Sequence, residues 1–141
     1  MAWLEEEGLS PDRLGVLSGR VARAEAALEA AAETAQAATC LERGSGRAVY
    51  DGEKLSALPA EIFLRVLAGA IAALAETDEA RHALRLERLE RLGAELHAAL
   101  AARQPIRRTL AGALVWTRSD GRLRLMREAL RRRGGWAAAG G

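Results

Sequence analysis

Apolar residues recur at alternating spacings of three and four along the first third of the chain. Because this spacing places them in a narrow stripe on one side of a helix, it predicts a single helix of about 30 residues. The segment Leu9-Ser10-Pro11-Asp12 marks its start, since serine caps helices and proline suits the first helical position. The side chains of the stripe become smaller along the helix, from leucine and valine to alanine. Another helix, from this chain or from a second copy, can therefore approach it closely. The stripe consists of Leu14, Leu17, Val21, Ala24, Leu28, Ala31, Ala35 and Ala38.

Two further helices follow after a break rich in glycine. The run Ile62–Leu74 is apolar nearly all round, which predicts a helix in the middle of the domain. A third helix is capped by Glu76-Thr77-Asp78-Glu79 and ends at Gln104-Pro105, with leucines again at three and four spacing.

The break itself reads Arg43-Gly44-Ser45-Gly46-Arg47. Glycines at this density end a helix, and two glycines between arginines would suit a phosphate. The segment lacks the preceding strand and the lysine of a phosphate loop, so it is interpreted as a connector. Ala48–Tyr50 is a candidate short strand, closed by a turn at Asp51-Gly52.

Period-two alternation near the end of the chain predicts a β-hairpin over about residues 107–128. Two alternating runs, Thr109–Thr117 and Arg122–Arg127, flank the turn-rich stretch Arg118–Gly121. An even-numbered loop is favoured because it separates leucines from arginines, whereas a three-residue loop would mix the two faces. With the even loop, Leu114 and Trp116 share a face with Leu123 and Leu125, while Val115 and Thr117 share the other with Arg122 and Arg124.

These patterns predict a mainly α fold: a helical domain with long antiparallel helices and a small C-terminal β-hairpin. At 141 residues one domain is expected, with a helical body over about 9–103, the hairpin, and a basic, glycine-containing tail over 129–141. The composition, 50% hydrophobic and 28% charged, is typical of a soluble globular protein. A single cysteine, Cys40, and the lack of a secretory signal predict a cytoplasmic location.

The net charge of +2 hides a division along the chain. Residues 1–102 hold 11 Lys and Arg against 17 Asp and Glu, whereas residues 103–141 hold 10 arginines against two acids. A concentration of positive charge favours polyanion partners, nucleic acid first. Trp116 is a candidate for base stacking, although its leucine neighbours favour a core position. The candidate RNA-binding residues are Arg85, Arg88, Arg107, Arg108, Arg122, Arg124 and Arg127.

Catalytic patterns are lacking in this sequence. His82 and His97 have no second ligand-type residue at metal spacing, and Cys40 has no histidine nearby. His82 is expected on the apolar stripe of its helix and His97 on the surface. No phosphate loop or dinucleotide-binding glycine pattern is present. The chain alone is therefore not expected to be an enzyme, and no catalytic or metal-binding residue is predicted.

Four segments together resemble a known family over about residues 9–130. They are LSPDRLGVLSGRVARAEAALEAAA, LPAEIFLRVLAGAIAAL, RLERLERL and RRTLAGALVWTRSDGRLRLMREA. In this order they look like the region after the catalytic domain of tRNA(Ile)-lysidine synthetases, members of the PP-loop ATPase superfamily. The pattern TLAGALV…GRLRLMRE is the most specific part.

The resemblance implies a part in a tRNA modification. Those enzymes use ATP to adenylate the wobble cytidine of an isoleucine tRNA, and lysine then displaces AMP to give lysidine. Their SGGxDS loop is absent here, so the PP-loop catalytic domain, with its ATP and magnesium, is expected outside this chain, and no cofactor is expected within it. The positions that match the family pattern are Arg85, Thr109, Gly112, Gly121, Leu123, Arg127 and Glu128.

Two functional interpretations remain. In the first, the chain is the tRNA-binding, substrate-recognition domain of a tRNA(Ile)-lysidine synthetase, whose partners are tRNA(Ile) and its own catalytic domain, without a membrane. In the second, it is a non-catalytic helical module that forms a homodimer through the Leu14–Ala38 helix and does not contact RNA.

Overall fold

A computed structural model describes residues 10–79 and 86–128 of the chain. The chain divides into two compact units, Met1–Ala31 and Ala32–Gly141. The first helix, α1 (Pro11–Thr39), begins in the first unit and ends in the second. Its predicted start and length are confirmed, and the Ser10 hydroxyl accepts a hydrogen bond from the Arg13 backbone N–H at 3.2 Å. No helix in the described part of the chain is both long and apolar enough to cross a bilayer.

The apolar stripe of α1 differs between the two units. In the first unit Leu14, Leu17 and Val21 are 36%, 49% and 55% exposed. In the second unit Ala35 of the stripe is buried, as is its neighbour Ala32, whereas Ala38 of the stripe is exposed. The stripe is therefore packed at Ala35, while its leucine and valine end remains accessible.

The second unit combines helices with an antiparallel sheet. The helices expected around Ile62–Leu74 and before Gln104 are both present, so the prediction of a mainly α fold is confirmed. After α1 the elements are β1 (Cys40–Gly44), β2 (Arg47–Asp51), α2 (Gly52–Ser56), α3 (Ala60–Leu74), α4 (Leu86–Ala102), β3 (Ile106–Leu110), β4 (Ala113–Thr117) and β5 (Arg122–Arg127).

The prediction of a small two-stranded hairpin at the C-terminus is wrong. The sheet has five strands in the order β1-β2-β5-β4-β3, all antiparallel. The run Thr109–Thr117, expected to be one strand, reverses direction at Ala111-Gly112, where φ is +50° and +77°. Positive φ at both central residues defines the turn that suits a two-residue hairpin. A second hairpin turn, Ser45-Gly46, joins β1 to β2.

The predicted faces of the β4–β5 pair are also wrong. Thr117 pairs with Leu123, and Val115 pairs with Leu125, so an odd number of residues separates the paired positions. Gly121, at φ +77°, belongs to this loop. Because side chains alternate between faces, the odd count places the two leucines beside Val115 and Thr117. It places Trp116 opposite Arg124 on the other face.

Both faces of the sheet contribute buried residues. On the helix-facing side, Tyr50, Leu123 and Leu125 share a small apolar cavity with Phe63 of α3 and Leu55 of α2. On the opposite face, Leu114, Trp116 and Met126 form a separate buried cluster. Trp116 is therefore a core residue and is not available to stack on a base.

The start of α2 lies very close to the β4–β5 loop. The Asp51 carboxylate accepts hydrogen bonds from the Glu53 and Lys54 backbone N–H groups at 3.0 and 3.2 Å, which caps α2 where only a turn was predicted. The Gly52 N–H donates to the Gly121 carbonyl at 2.9 Å. A Cβ atom at Gly52 would lie 2.1 Å from that oxygen and 2.7 Å from Leu100 Cδ2.

The contact at Gly52 leads to the first prediction. Gly52→Ala should lower the free energy of unfolding by about 3 kcal/mol, because the methyl group must displace backbone rather than a flexible side chain. Urea denaturation followed by circular dichroism measures the change. Gly44→Ala is the control, since a Cβ there meets only the Arg47 side chain at 3.8 Å. Equal stability of the two variants would contradict the prediction.

Candidate nucleic-acid interface

The arginines of the second unit lie at both ends of the sheet. We call the end with the Ser45-Gly46 and Ala111-Gly112 turns the turn end, and the end with the Arg118–Gly121 loop the loop end. The strand registers place Arg127 at the turn end and Arg122, opposite Asp51, at the loop end. The two ends differ in how far carboxylates offset the arginine charge.

At the turn end, the sheet and α4 enclose a basic concavity of about 350 Å³, which we call the β3 pocket. Arg88 and Arg108, both predicted from the sequence, line it together. Arg91 also lines it and was missed, although its spacing of three from Arg88 puts both on one side of a helix. The full lining is Arg88, Arg91, Leu92, Glu95, Arg108, Thr109, Leu110 and Ala111.

Arg108 is held in place by two hydrogen bonds. Its Nε donates to the Glu95 carboxylate at 2.8 Å, and its Nη1 donates to the Arg107 carbonyl at 2.8 Å. The side chain nevertheless remains 51% exposed. Glu95 therefore orients Arg108 and cancels part of its charge, which leaves three arginines against one carboxylate along the pocket wall.

The loop end carries arginines that are largely paired with acids. Arg124 forms an ion pair with Asp120, including an Nη1 to Oδ1 distance of 3.2 Å. The hydrogen bond from Arg124 is the main reason that the pKa of Asp120 lies below its usual value. Arg103 lies 3.7 Å from Glu53. Of the two candidate RNA-binding arginines at this end, Arg122 is exposed and Arg124 is half-buried, so Arg122 is the more accessible.

The remaining predicted arginines have different surroundings. Arg107 is exposed on β3, on the face of the strand opposite to Arg108. Arg127 donates from Nε to the Leu74 carbonyl at 2.9 Å, and its Nη1 lies 3.1 Å from Glu76. Because a cation is favourable beside the C-terminal carbonyls of a helix, Arg127 fastens β5 to the end of α3. Arg85 lies outside the described residues.

His97, which the sequence predicted on the surface, is half-buried. Its ring packs against Phe63 with a centroid distance of 4.9 Å, and its Nε2 is buried without a hydrogen-bond partner among the described residues. It lines a groove of about 460 Å³ between α3 and α4. Within residues 10–79 and 86–128, no three His, Cys, Asp or Glu side chains are grouped to hold a metal ion. His82 lies outside the described residues.

The second unit thus belongs to the class of small α+β domains, with helices packed on an antiparallel sheet and with arginines lining an open pocket. Comparison with known proteins shows that the chain belongs to the tRNA(Ile)-lysidine synthase family, whose members it matches over one region. This confirms the resemblance suggested by the sequence. No family model matches the chain, and no solved structure matches it.

Three similar proteins are each named tRNA(Ile)-lysidine synthase. The protein from Methylobacterium sp. strain 4-46 is 47% identical over 135 residues, which covers 94% of this chain. The protein from Methylobacterium nodulans is 44% identical over 95% of the chain, and that from Bradyrhizobium sp. strain BTAi1 is 35% identical over 85%. The matched region is only 37–39% of the length of these relatives.

The ion pair in the β3 pocket leads to a prediction of increased binding. Glu95→Gln should raise the affinity for a polyanion probe such as polyphosphate about twofold to fivefold, because it removes the one negative charge from the pocket wall. Fluorescence anisotropy at low salt measures the affinity. Glu61→Gln, on α3 and paired with Arg65, is the control. An unchanged affinity of Glu95→Gln would contradict anion binding in the pocket, and a lower affinity would show that the orientation of Arg108 by Glu95 outweighs the negative charge that Glu95 adds.

Proposed function

We propose that the chain is a tRNA-binding domain of a tRNA(Ile)-lysidine synthase. The whole protein would be an ATP-dependent ligase that converts the wobble cytidine of tRNA(Ile) to lysidine in the cytoplasm. ATP and magnesium would be bound by its PP-loop catalytic domain, which this chain does not contain. The observation that carries the proposal is the β3 pocket, because it gathers three arginines in a region related to those synthases.

The chemistry of the pocket suits an RNA backbone. Phosphate contacts need positive groups in a fixed array, and A-form RNA is bound mainly through its shape, its phosphates and its 2′-hydroxyls. Arg88 and Arg91 project from one side of α4, while Glu95 fixes the direction of Arg108. Arg107 and Arg122 belong to the proposal as further exposed arginines, the first on the opposite face of β3 and the second at the loop end. Arg124 and Arg127, whose guanidinium groups already bind protein atoms, would contribute mainly through their charge.

Salt-dependent binding to an isoleucine tRNA tests the proposal. The parent chain should bind tRNA with an affinity that falls steeply with salt. Arg88→Ala/Arg108→Ala should lower the slope of log affinity against log salt by about 2, since each phosphate contact contributes roughly 0.9. Arg122→Ala/Arg124→Ala should lower it less, because Asp120 already offsets one of those charges.

A charge-matched control separates contact from net charge. Arg13→Ala/Arg23→Ala removes two arginines from α1, outside the sheet, and should leave the slope within about 0.5 of the parent value. Equal losses in the control and in Arg88→Ala/Arg108→Ala would contradict a located interface. Lack of tRNA binding by the folded parent, even at low salt, would contradict the function itself.

The exposed stripe of α1 supports a second function, that of a homodimerisation helix. If Leu14 and Leu17 are taken as positions a and d of a heptad, Val21 is the next a residue. Arg20 then occupies a g position and Glu25 the following e position. In a parallel pair of helices these positions face each other, so Arg20 of each copy would lie beside Glu25 of the other.

Solution mass tests the dimer. Analytical ultracentrifugation of the parent should show a monomer–dimer equilibrium over micromolar concentrations, and Arg20→Glu should weaken it about threefold through like-charge repulsion. Arg20→Glu/Glu25→Arg should restore the parent equilibrium. A monomer at every concentration would contradict the dimer and leave the RNA proposal unaffected.

A further inference from the structure

The Arg43–Arg47 turn, which the β3 pocket does not include, lines a second basic concavity. This β1 pocket has a volume of about 310 Å³. It is formed by the β1–β2 turn, the buried Tyr50, the C-terminal part of α3 and the end of β5. Its lining is Arg43, Gly44, Ser45, Gly46, Arg47, Ala48, Tyr50, Ala70, Ala73, Leu74 and Arg127, which contains three arginines and no acidic residue.

We propose that the β1 pocket is a second phosphate-binding site, and that it and the β3 pocket bind separate phosphates of one RNA backbone. The inference rests on the proposed tRNA-binding function and deepens it, since it adds a site and fixes the spacing between the two contacts. The argument has three parts: the groups inside the β1 pocket, the register of the sheet, and the backbone hydrogen bonds around the end of β5.

The groups in the β1 pocket suit a phosphate. The pocket gathers the charges of Arg43, Arg47 and Arg127, of which the Arg127 charge is partly offset by Glu76. Tyr50 is only 1% exposed, and its hydroxyl accepts a hydrogen bond from Gln36 Nε2 at 3.4 Å. Burial raises the pKa of the Tyr50 phenol above its usual value. A side-chain hydrogen bond between Arg43 and the Tyr50 phenol holds that arginine against the wall of the pocket.

The strand register aligns the two pockets. Arg43 and Arg108 occupy the two edge strands of a single row that crosses all five strands. Their side chains lie on the same, helix-facing side of the sheet, because paired residues in adjacent strands point to the same side. Four strand spacings separate the ends of the row, which is about 19 Å. The row reads Arg43, Ala48, Leu125, Val115 and Arg108.

Backbone hydrogen bonds hold the two pockets in a fixed relation. The Arg127 N–H donates to the Gly46 carbonyl at 2.8 Å, and the Glu128 N–H donates to the Gly112 carbonyl at 2.9 Å. The end of β5 is thereby tied to both hairpin turns. Because backbone hydrogen bonds already fix the separation, the protein loses little conformational freedom when an RNA binds both pockets.

The separation also defines the kind of ligand. A span of about 19 Å is several times the rise per nucleotide of one strand, so the two pockets would contact phosphates that lie several nucleotides apart. A duplex of ten or more base pairs can therefore contact both pockets. A dinucleotide, with its single phosphodiester, can occupy only one.

Binding of a twelve-base-pair RNA hairpin tests the second site. Arg43→Ala/Arg47→Ala should weaken binding roughly tenfold near 0.1 M salt and lower the salt slope by about 2. Arg43→Lys/Arg47→Lys should keep most of the slope, because lysine retains the charge. Combining Arg43→Ala/Arg47→Ala with Arg88→Ala/Arg108→Ala should lower the slope by about the sum of the two losses. Arg13→Ala/Arg23→Ala serves again as the charge-matched control.

The outcomes distinguish failure of the second site from failure of the proposed tRNA-binding function. If the hairpin binds and Arg88→Ala/Arg108→Ala weakens it while Arg43→Ala/Arg47→Ala behaves like the control, the second site is refuted and the proposed function stands. If the folded parent binds no RNA, the function fails first. A dinucleotide supplies the last arm: its affinity should be weak and should fall by less than the hairpin affinity in each variant. An equal fall for both ligands would show that the pockets do not act on one RNA.

Discussion

The pairing of β5 between β2 and β4 is the interaction on which the second unit depends. Each of its neighbours belongs to a hairpin made of residues close in sequence, β1–β2 and β3–β4. Without β5 those hairpins would be two small ribbons, and an isolated two-stranded hairpin is barely stable in water. β5 joins residues about 75 positions apart, such as Ala48 and Leu125, into one buried row. The loop-closure entropy that this pairing costs is offset by burial on both faces of the sheet.

The same pairing explains why arginines far apart in the sequence belong to one surface. Arg43 and Arg108 lie in different hairpins, and neither hairpin fixes the position of the other. β5 sets the distance between them, and the bond from Arg127 to the Leu74 carbonyl fixes α3 against the same strand. Arg127, at the end of β5, thus holds α3 against the sheet. Arg43 and Arg108, on the edge strands, keep their side chains accessible.

The sequence predicted the elements whose pattern is repeated over many residues. The helical period of α1, α3 and α4 spans several turns, so errors at single positions hardly matter. The sheet was harder, since Ala111-Gly112 lacks the asparagine that usually indicates a tight turn, and Ala111 adopts its positive φ despite having a side chain. β1 is exposed along most of its length and shows no alternation of buried and exposed residues. The register of β4 and β5 depended on a single residue in a loop.

The candidate site was predictable only in part, for a related reason. A helical stripe of arginines indicated Arg88, and the arginine-rich end of the chain indicated Arg108, which shares a pocket with it. The same end also indicated Arg124 and Arg127, which bind protein atoms. Charge along a sequence does not show which guanidinium groups meet a carboxylate. Arg43 and Arg47 were set aside with their glycines because the strands on either side of them are recognisable only through pairing.

The arginines at the sheet edges have a further consequence, for how the protein behaves among other copies of itself. In the described part of the chain β1 and β3 are the outermost strands, and each could template an additional strand from another molecule. Arg107 and Arg108 on β3, with Glu42 and Arg43 on β1, put charged side chains along both borders. Any foreign strand would have to desolvate or match those charges before pairing. The charged residues of the edge strands therefore oppose growth of the sheet by strand addition.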